Sequence, residues 1–251
     1  MATLTAKRRS GRDKVTEYIR AGHGSPTIIL INGAGGPVEA WYRLMPELAR
    51  LGTVFAYNRP GVGESDKPKQ PQTGAVMAAD LHALLRSEAI AGPYVLVAHS
   101  LGGLIANLFA RQYPDEVAGV VMLDATAPED PAVMDAHKGA IARLVEKVSG
   151  SLFGQDPMGE MAHVAQSVAQ IGSAPPFPDV PLAVVSGGRP AMAWLTPSKA
   201  LQARAEHQRR MVALSPRGKH IIAARSGHFP QFSEPAVVLK AVRDVIAMSR
   251  D

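Results

Sequence analysis

The feature that most constrains the fold of this chain is a repeated alternation of short apolar runs with longer segments of helical spacing. The six apolar runs are 27–32, 53–57, 94–98, 117–123, 182–186 and 219–224. Runs of this length that are separated by helical segments indicate parallel strands joined by helices. The chain is therefore predicted to be an α/β protein, with a mostly parallel twisted sheet flanked by helices on both faces.

The segments between these runs predict the connecting helices. Five of them have helical spacing and begin or end near proline or glycine, namely 38–50, 76–90, 101–113, about 196–214 and 235–248. Residues 3–20 alternate around the turn at 10–13, which predicts an antiparallel hairpin at the sheet edge. From 126 to 180 the strands are missing and amphipathic spacing occurs at 140–148 and 161–171. We expect this insertion to form a small helical lid.

Composition and length favour one domain over residues 1–251, with the lid insertion at about 126–180. The apolar runs are much shorter than the roughly 20 residues that a membrane helix needs. The basic N-terminal residues are not followed by an apolar segment, so we expect a cytoplasmic protein without a secretory signal or a membrane partner. The absence of cysteine excludes disulfides and thiolate chemistry.

The net charge of +5 raises the question of a nucleic-acid partner. Five basic residues cluster at the start of the chain: Lys7, Arg8, Arg9, Arg12 and Lys14. Aromatic residues make up only 5% of the chain, too few for platforms on which bases stack. The pattern indicates a solvated basic hairpin and no nucleic-acid site.

The stretch V-A-H-S-L-G-G, residues 97–103, places Ser100 between a predicted strand and a predicted helix. A serine on such a tight turn is the arrangement of a nucleophile elbow, usually written G-x-S-x-G. The turn needs small residues two before and two after the serine. Gly102 meets this need, and Ala98 departs from it by one methyl group. The alternative is a serine that only caps the following helix.

A glycine-rich turn, N-G-A-G-G at 32–36, follows the first long strand. Its backbone can bend towards the elbow, so we expect the amide of Ala34 and that of Leu101 to form an oxyanion hole. A dinucleotide fingerprint would need a third glycine and an acidic residue at the end of the next strand, and both are missing. A phosphate loop would need G-K-[ST], which is missing too. An ordinary glycine-rich turn is the remaining alternative.

A serine hydroxyl needs a base, normally an imidazole. His228, in S-G-H-F-P after the last predicted strand, lies at the sheet edge where loops carry function. The other seven histidines fall in a turn, in helical segments, in a strand or beside the serine but pointing away from it: His23, His82, His99, His137, His163, His207 and His220. We therefore expect His228 to be the base.

The acid is the least obvious member of the site. No carboxylate follows the run 182–186 until Glu206, whereas Asp124 ends the run that follows the elbow helix. From this position a carboxylate could hold the imidazole in the correct tautomer. We favour Asp124 over Glu129, Asp130 and Asp179, and a helix-capping role for Asp124 remains open.

The order Ser100, Asp124, His228 resembles that of the α/β-hydrolase superfamily over nearly the full chain. The turn N-R-P-G-V-G-E-S at 58–65 and the loop S-G-H-F-P resemble further motifs of that family. An acid after the strand that follows the elbow helix resembles a minority arrangement, found in some haloalkane dehalogenases, whose nucleophile is an aspartate. Asn32 and Asn58 depart from the family pattern, which commonly has His and Asp there.

The resemblance, the residues Ser100, Asp124 and His228 and the glycine-rich turn at 32–36 together predict a serine hydrolase that cleaves small carboxylic esters through an acyl-enzyme. Hydrolysis of a lactone or of a carbon–carbon bond, or non-catalytic binding of a small ligand, are the alternatives. We expect no metal and no cofactor, and the sequence leaves the oligomeric state open. The candidate substrate-binding residues are Asn32, Met134, Leu152, Phe153 and Met158.

Overall fold

The computed structural model of the protein describes residues 7–10, 15–130, 157–189 and 198–250. Within these residues the chain forms one eight-stranded sheet. Its strands are β1 Lys7–Ser10, β2 Val15–Ala21, β3 Thr27–Ile31, β4 Thr53–Tyr57, β5 Tyr94–His99, β6 Val117–Leu123, β7 Leu182–Gly187 and β8 Gly218–Ala223. Their order across the sheet is β1-β2-β4-β3-β5-β6-β7-β8. The β1–β2 and β2–β4 pairs are antiparallel and the other neighbours are parallel.

Helices connect the parallel strands, which confirms the predicted α/β class. The α-helices of the described segments are α1 Met45–Leu48, α2 Gly74–Ser87, α3 Gly102–Gln112, α4 Val164–Ser173, α5 Ser198–Val212, α6 Pro230–Ser233 and α7 Pro235–Met248. Short 3-10 helices occur at Val38–Trp41, Pro114–Glu116 and Glu160–His163. None of the helices that the structure describes has the length and apolar character needed to cross a bilayer.

One predicted helix is wrong in its continuity. The segment 38–50 is divided into the 3-10 helix Val38–Trp41 and the four-residue α1. Pro46 lies in the first turn of α1. A proline has no N–H to donate to the preceding turn and its ring collides with the carbonyl four residues earlier, so a helix can begin at Pro46 but cannot run through it.

The predicted hairpin and part of the predicted insertion can be compared with the structure. β1 and β2 pair in antiparallel register, as expected for the N-terminal hairpin. The helix predicted at 161–171 corresponds to the 3-10 helix Glu160–His163 followed by α4. The helix predicted at 140–148 lies outside the described residues.

The apolar core has one layer on each face of the sheet. β3, β4 and β5 are buried along their whole length. Because successive side chains of a strand point to opposite faces, Ile29 and Leu96 pack in the layer formed with α2, α3 and α4, whereas Ile28 and Val95 pack in the layer formed with α1 and α7. Strands covered on both faces lack polar alternation, which explains their continuous apolar runs.

The described end of the insertion between β6 and β7 is fixed to the N-terminus of α2. The amide of Gly74 donates to Ser167 Oγ at 2.7 Å, and that of Ala75 donates to Gln170 Oε1 at 3.0 Å. The first amides of a helix have no acceptor within the helix, so these two side chains from α4 accept hydrogen bonds from donors that would otherwise be unsatisfied. This segment is therefore held over the face of the sheet that carries α2 and α3.

Candidate active site

Ser100 lies on a strained turn between β5 and α3, as the sequence predicts. Its φ of 52° is in the left-handed region, which residues other than glycine rarely adopt. The amide of Ser100 donates to the carbonyl of Leu123, and its carbonyl accepts from the amides of Gly103 and Thr126. These contacts with β6 and with the helix hold the hydroxyl at the carboxyl edge of the sheet.

Glycines make this turn possible. A Cβ at Gly102 would lie 2.6 Å from the carbonyl oxygen of Ile31 and 2.7 Å from that of Asn32. A Cβ at Gly33 would lie 3.0 Å from both the Ser100 Cβ and His99 Nδ1. The glycine-rich turn after β3 therefore packs directly against the serine turn, at the point where the strand order reverses and where ligands bind in open α/β sheets.

The three residues predicted to act together form a hydrogen-bonded chain with His228 at its centre. His228 Nε2 is 3.0 Å from Ser100 Oγ, and His228 Nδ1 is 2.6 Å from Asp124 Oδ2. An ionised Asp124 only accepts, so Nδ1 carries the ring proton and Nε2 is left with a lone pair facing the serine hydroxyl. The arrangement gives His228 the tautomer that can remove a proton from Ser100.

Asp124 is held in place and kept ionised by its surroundings. Gly187 N donates to Oδ1 at 3.2 Å, and Arg204 Nη2 donates to Oδ2 at 3.0 Å. Burial raises the pKa of this carboxyl, but the hydrogen bond from His228 and the charge of Arg204 outweigh burial, so the pKa lies below its usual value. Asp124 is therefore a carboxylate at neutral pH.

The other candidate carboxylates, those of Glu129, Asp130 and Asp179, do not contact His228 in the described residues. Glu129 and Asp179 are exposed. Asp130 is buried, but it accepts from Arg204 and lies 2.8 Å from His207 Nδ1. Its remaining partner is the amide of Ala127, so Asp130 stabilises the start of the insertion.

The two amides predicted to form the oxyanion hole are free within the described residues. Neither the N–H of Ala34 nor that of Leu101 has an acceptor in this part of the chain. Ala34 lines the same cavity as Ser100. Within the described residues both N–H groups therefore remain available as donors, and that of Ala34 belongs to a residue that lines the cavity.

A cavity of about 580 Å³ opens over Ser100, between the turn after β3 and the loop after β8. Its lining is Asn32, Gly33, Ala34, Gly36, Pro37, Glu39, Ala40, His99, Ser100, His228, Phe229, Gln231 and Phe232. Gln231 is only 1% exposed, and its Oε1 has no hydrogen-bond partner among the described residues. The wall therefore offers a neutral polar group beside two aromatic rings.

The candidate substrate-binding residues fall into three groups. Asn32 lines the cavity, but its Nδ2 donates to the carbonyl of Pro37 at 3.1 Å, so the side chain also braces the turn. Met158 is 38% exposed and does not belong to the lining of this cavity. Met134, Leu152 and Phe153 lie outside the described residues.

His99 has a part in the site that the sequence did not indicate. Its Nε2 donates to the carbonyl of His228 at 2.7 Å, and its ring lies 4.8 Å from that of His228, so it steadies the loop that carries the candidate base. Burial lowers the pKa of His99 to about 4, so the ring is neutral at pH 7. Only the position next to Ser100 could have drawn attention to it.

Asn58 replaces the aspartate common in the resembled family, and the structure supplies a reason. Its Oδ1 accepts from the amide of Val38 at 2.8 Å, and its Nδ2 donates to Glu17 Oε2 at 2.7 Å. An aspartate would place a second carboxylate against Glu17, which an amide avoids. Asn58 therefore anchors the segment after the glycine-rich turn to the edge of the sheet.

The sheet order, the serine turn after β5 and the insertion after β6 define an alpha/beta hydrolase. The chain belongs to the alpha/beta hydrolase fold family, whose family model matches residues 26–156. It is 24% identical over 233 residues to the uncharacterized protein YqjL of Bacillus subtilis (strain 168), covering 90% of this chain and 85% of YqjL.

Solved structures agree with this fold. A thermophilic esterase from Thermogutta terrifontis is similar with a TM-score of 0.66 and 22% identity, with 100% of both chains covered. The enol-lactonase from Burkholderia xenovorans LB400 is similar with a TM-score of 0.67 and 20% identity, covering 96% of this chain and 100% of that one. At such identities the likeness concerns the fold, and the reaction must be argued from the site.

Proposed function

We propose that this protein is a serine hydrolase that cleaves small carboxylic esters through an acyl-enzyme. The observation that carries the proposal is the continuous hydrogen-bonded line from Ser100 through His228 to Asp124. A hydroxyl, an imidazole of defined tautomer and a buried carboxylate in this order activate the serine oxygen.

The reaction follows from these positions. His228 Nε2 takes the proton of Ser100 as its oxygen attacks the ester carbonyl carbon, and Asp124 stabilises the resulting imidazolium. The negative oxygen of the tetrahedral intermediate accepts hydrogen bonds from the amides of Ala34 and Leu101. His228 then protonates the leaving alcohol and afterwards activates the water that releases the acid.

The insertion between β6 and β7 is proposed to act as a lid beside this site. Its described end packs on α2 and α3, and Gln72 N donates to the carbonyl of Met158 at 3.0 Å, which ties the two segments together. A lactone presents the same acyl carbon as an ester, so the substrate panel includes lactones beside p-nitrophenyl esters of graded acyl length.

The test is labelling with a fluorophosphonate, which reacts with activated serines, together with ester turnover. Ser100→Ala is expected to abolish both. Ser186→Ala is the matched control, because Ser186 Oγ also lies 2.9 Å from a histidine nitrogen, that of His220, which no carboxylate of the described residues supports. The control should keep its labelling. If folded wild-type protein is not labelled, the proposal fails and a small-ligand-binding role becomes the better one.

A further inference from the structure

A buried ion pair lies beneath the glycine-rich turn. Arg59 follows β4, and Glu160 begins the 3-10 helix in the insertion between β6 and β7. Arg59 Nε is 2.6 Å from Glu160 Oε1 and Nη2 is 3.0 Å from Oε2, a two-pronged contact between side chains that are 2% and 9% exposed. Burial of a charge pair is opposed by the desolvation of both groups, so the pair needs well-placed hydrogen bonds to offset that cost.

Three further hydrogen bonds of this pair go to one stretch of backbone. Arg59 Nη1 donates to the carbonyl of Asn32 at 2.8 Å, and Nη2 donates to that of Gly33 at 2.6 Å. Glu160 Oε2 accepts from the amide of Gly35 at 3.1 Å. The pair therefore hydrogen-bonds to the backbone on both sides of Ala34.

The contact with Gly33 has a directional consequence. The carbonyl of Gly33 and the N–H of Ala34 belong to the same peptide group, which is trans. In a trans peptide the C=O and N–H bonds point in opposite directions. Fixing the carbonyl on Arg59 therefore turns the N–H of Ala34 away from the ion pair. A cation on the carbonyl also polarises the peptide and strengthens its N–H as a donor.

We propose that Arg59 and Glu160 are positioning residues that aim and polarise the Ala34 amide of the oxyanion hole. The inference rests on the proposed function, since it takes this amide as a donor to the tetrahedral intermediate. The inference goes beyond the proposed function because it makes the Ala34 amide depend on the insertion between β6 and β7. Glu160, whose carboxylate orients Arg59, belongs to that insertion. The position of Glu160 and the alignment of the Ala34 amide are thus coupled.

The test compares Glu160→Gln, Glu160→Asp and Arg59→Lys with the wild type. The first removes the charge, the second shortens the side chain while keeping its charge, and the third replaces the planar fork by a single ammonium group. Glu116→Gln is the control. Glu116 directly precedes β6, at the end of that strand opposite the site, and its carboxylate contacts His82, so this substitution removes a carboxylate far from the glycine-rich turn. Circular dichroism melting identifies the temperature at which each variant is folded.

Three readouts report on the oxyanion hole. For a p-nitrophenyl ester, kcat is expected to fall about 10- to 100-fold with KM within about threefold, since a misplaced donor acts mainly in the transition state. The rate ratio of an ester to its thionoester should fall as well, because a sulfur in place of the carbonyl oxygen gains little from these amides. Affinity for phenylboronic acid, which mimics the tetrahedral adduct, should weaken in parallel.

The outcomes separate this inference from the function on which it rests. Folded variants that keep the wild-type rate ratio and boronate affinity would overturn it, and the pair would then be structural only. A wild type that neither reacts with fluorophosphonate nor binds the boronate would overturn the proposed function and this inference with it. A loss confined to the Glu160 and Arg59 variants, absent from Glu116→Gln, supports it.

Discussion

At the scale of single residues, the proposed chemistry depends on which nitrogen of His228 carries the proton. Asp124→Asn keeps the size of the side chain, but its amide can donate to Nδ1 and so favour the tautomer whose Nε2 carries the proton. That tautomer cannot accept from Ser100, and kcat should fall by about 10³- to 10⁴-fold. Steady-state ester hydrolysis checks this. The exposed Asp179→Asn should retain wild-type activity, and an Asp124→Asn variant within threefold of wild type would refute the assignment.

The sequence pointed to Ser100, Asp124 and His228 because each follows a strand or its loop, and parallel strands bring such positions together at one edge. The residues that support these three gave no such signal. His99 contacts a carbonyl 129 positions away, Arg204 contacts a carboxylate 80 positions away, and Arg59 contacts one 101 positions away. Only the folded chain reveals such pairs, because nothing in the neighbouring residues fixes either partner.

At the scale of elements, the first turn of α3 limits what the serine turn can contain. Gly102→Ala would press a methyl group against two backbone carbonyls, those of Ile31 and Asn32, which cannot move as a side chain can. We expect a loss of about 1–3 kcal/mol in unfolding free energy, with a drop in activity because the glycine-rich turn is displaced. Urea denaturation measures the first effect and ester turnover the second.

Gly172→Ala in α4 is the matched control. A Cβ there has nothing within 4 Å, so the substitution should stabilise the protein by up to about 1 kcal/mol through helix propensity. Equal effects of the two substitutions would contradict the close approach at Gly102.

The central strands β3, β4 and β5 could be predicted well at this scale, since burial on both faces leaves a continuous apolar run. The segment 38–50 could not, because its apolar spacing is helical throughout while Pro46 divides it. The 3-10 turn at Glu160–His163 was hidden in the same way, because spacing alone does not distinguish a 3-10 start from an α-helix.

At the scale of the whole molecule, acid should destabilise the fold before its carboxylates titrate. In the unfolded chain a histidine binds a proton below about pH 6.5, whereas His99 in the folded protein does so only near its lowered pKa of about 4. The unfolded state therefore binds more protons in this window, and about 3 kcal/mol of stability is lost as the pH falls from 6.5 towards 4.

His99→Gln should make the melting temperature depend less on pH between about 7 and 4.5. The exposed His23→Gln is the control and should follow the wild type. Differential scanning calorimetry across this range measures both variants. A wild-type melting temperature that stays level down to pH 4.5 would contradict the burial argument.

The left-handed backbone at Ser100, with a φ of 52°, recurs at Asp124, with a φ of 40°. Each such conformation costs roughly 1–3 kcal/mol for a residue with a side chain, and glycine avoids most of that cost. At Ser100, selection for folding alone would therefore favour glycine, whereas at Asp124 glycine would leave the donors of His228, Arg204 and Gly187 without their acceptor. Under the proposed function, a lineage that had abandoned catalysis could gain thermostability by replacing Ser100 with glycine, whereas one that retains Ser100 would trade melting temperature for turnover. Ser100→Gly should consequently be inactive and melt above Ser100→Ala.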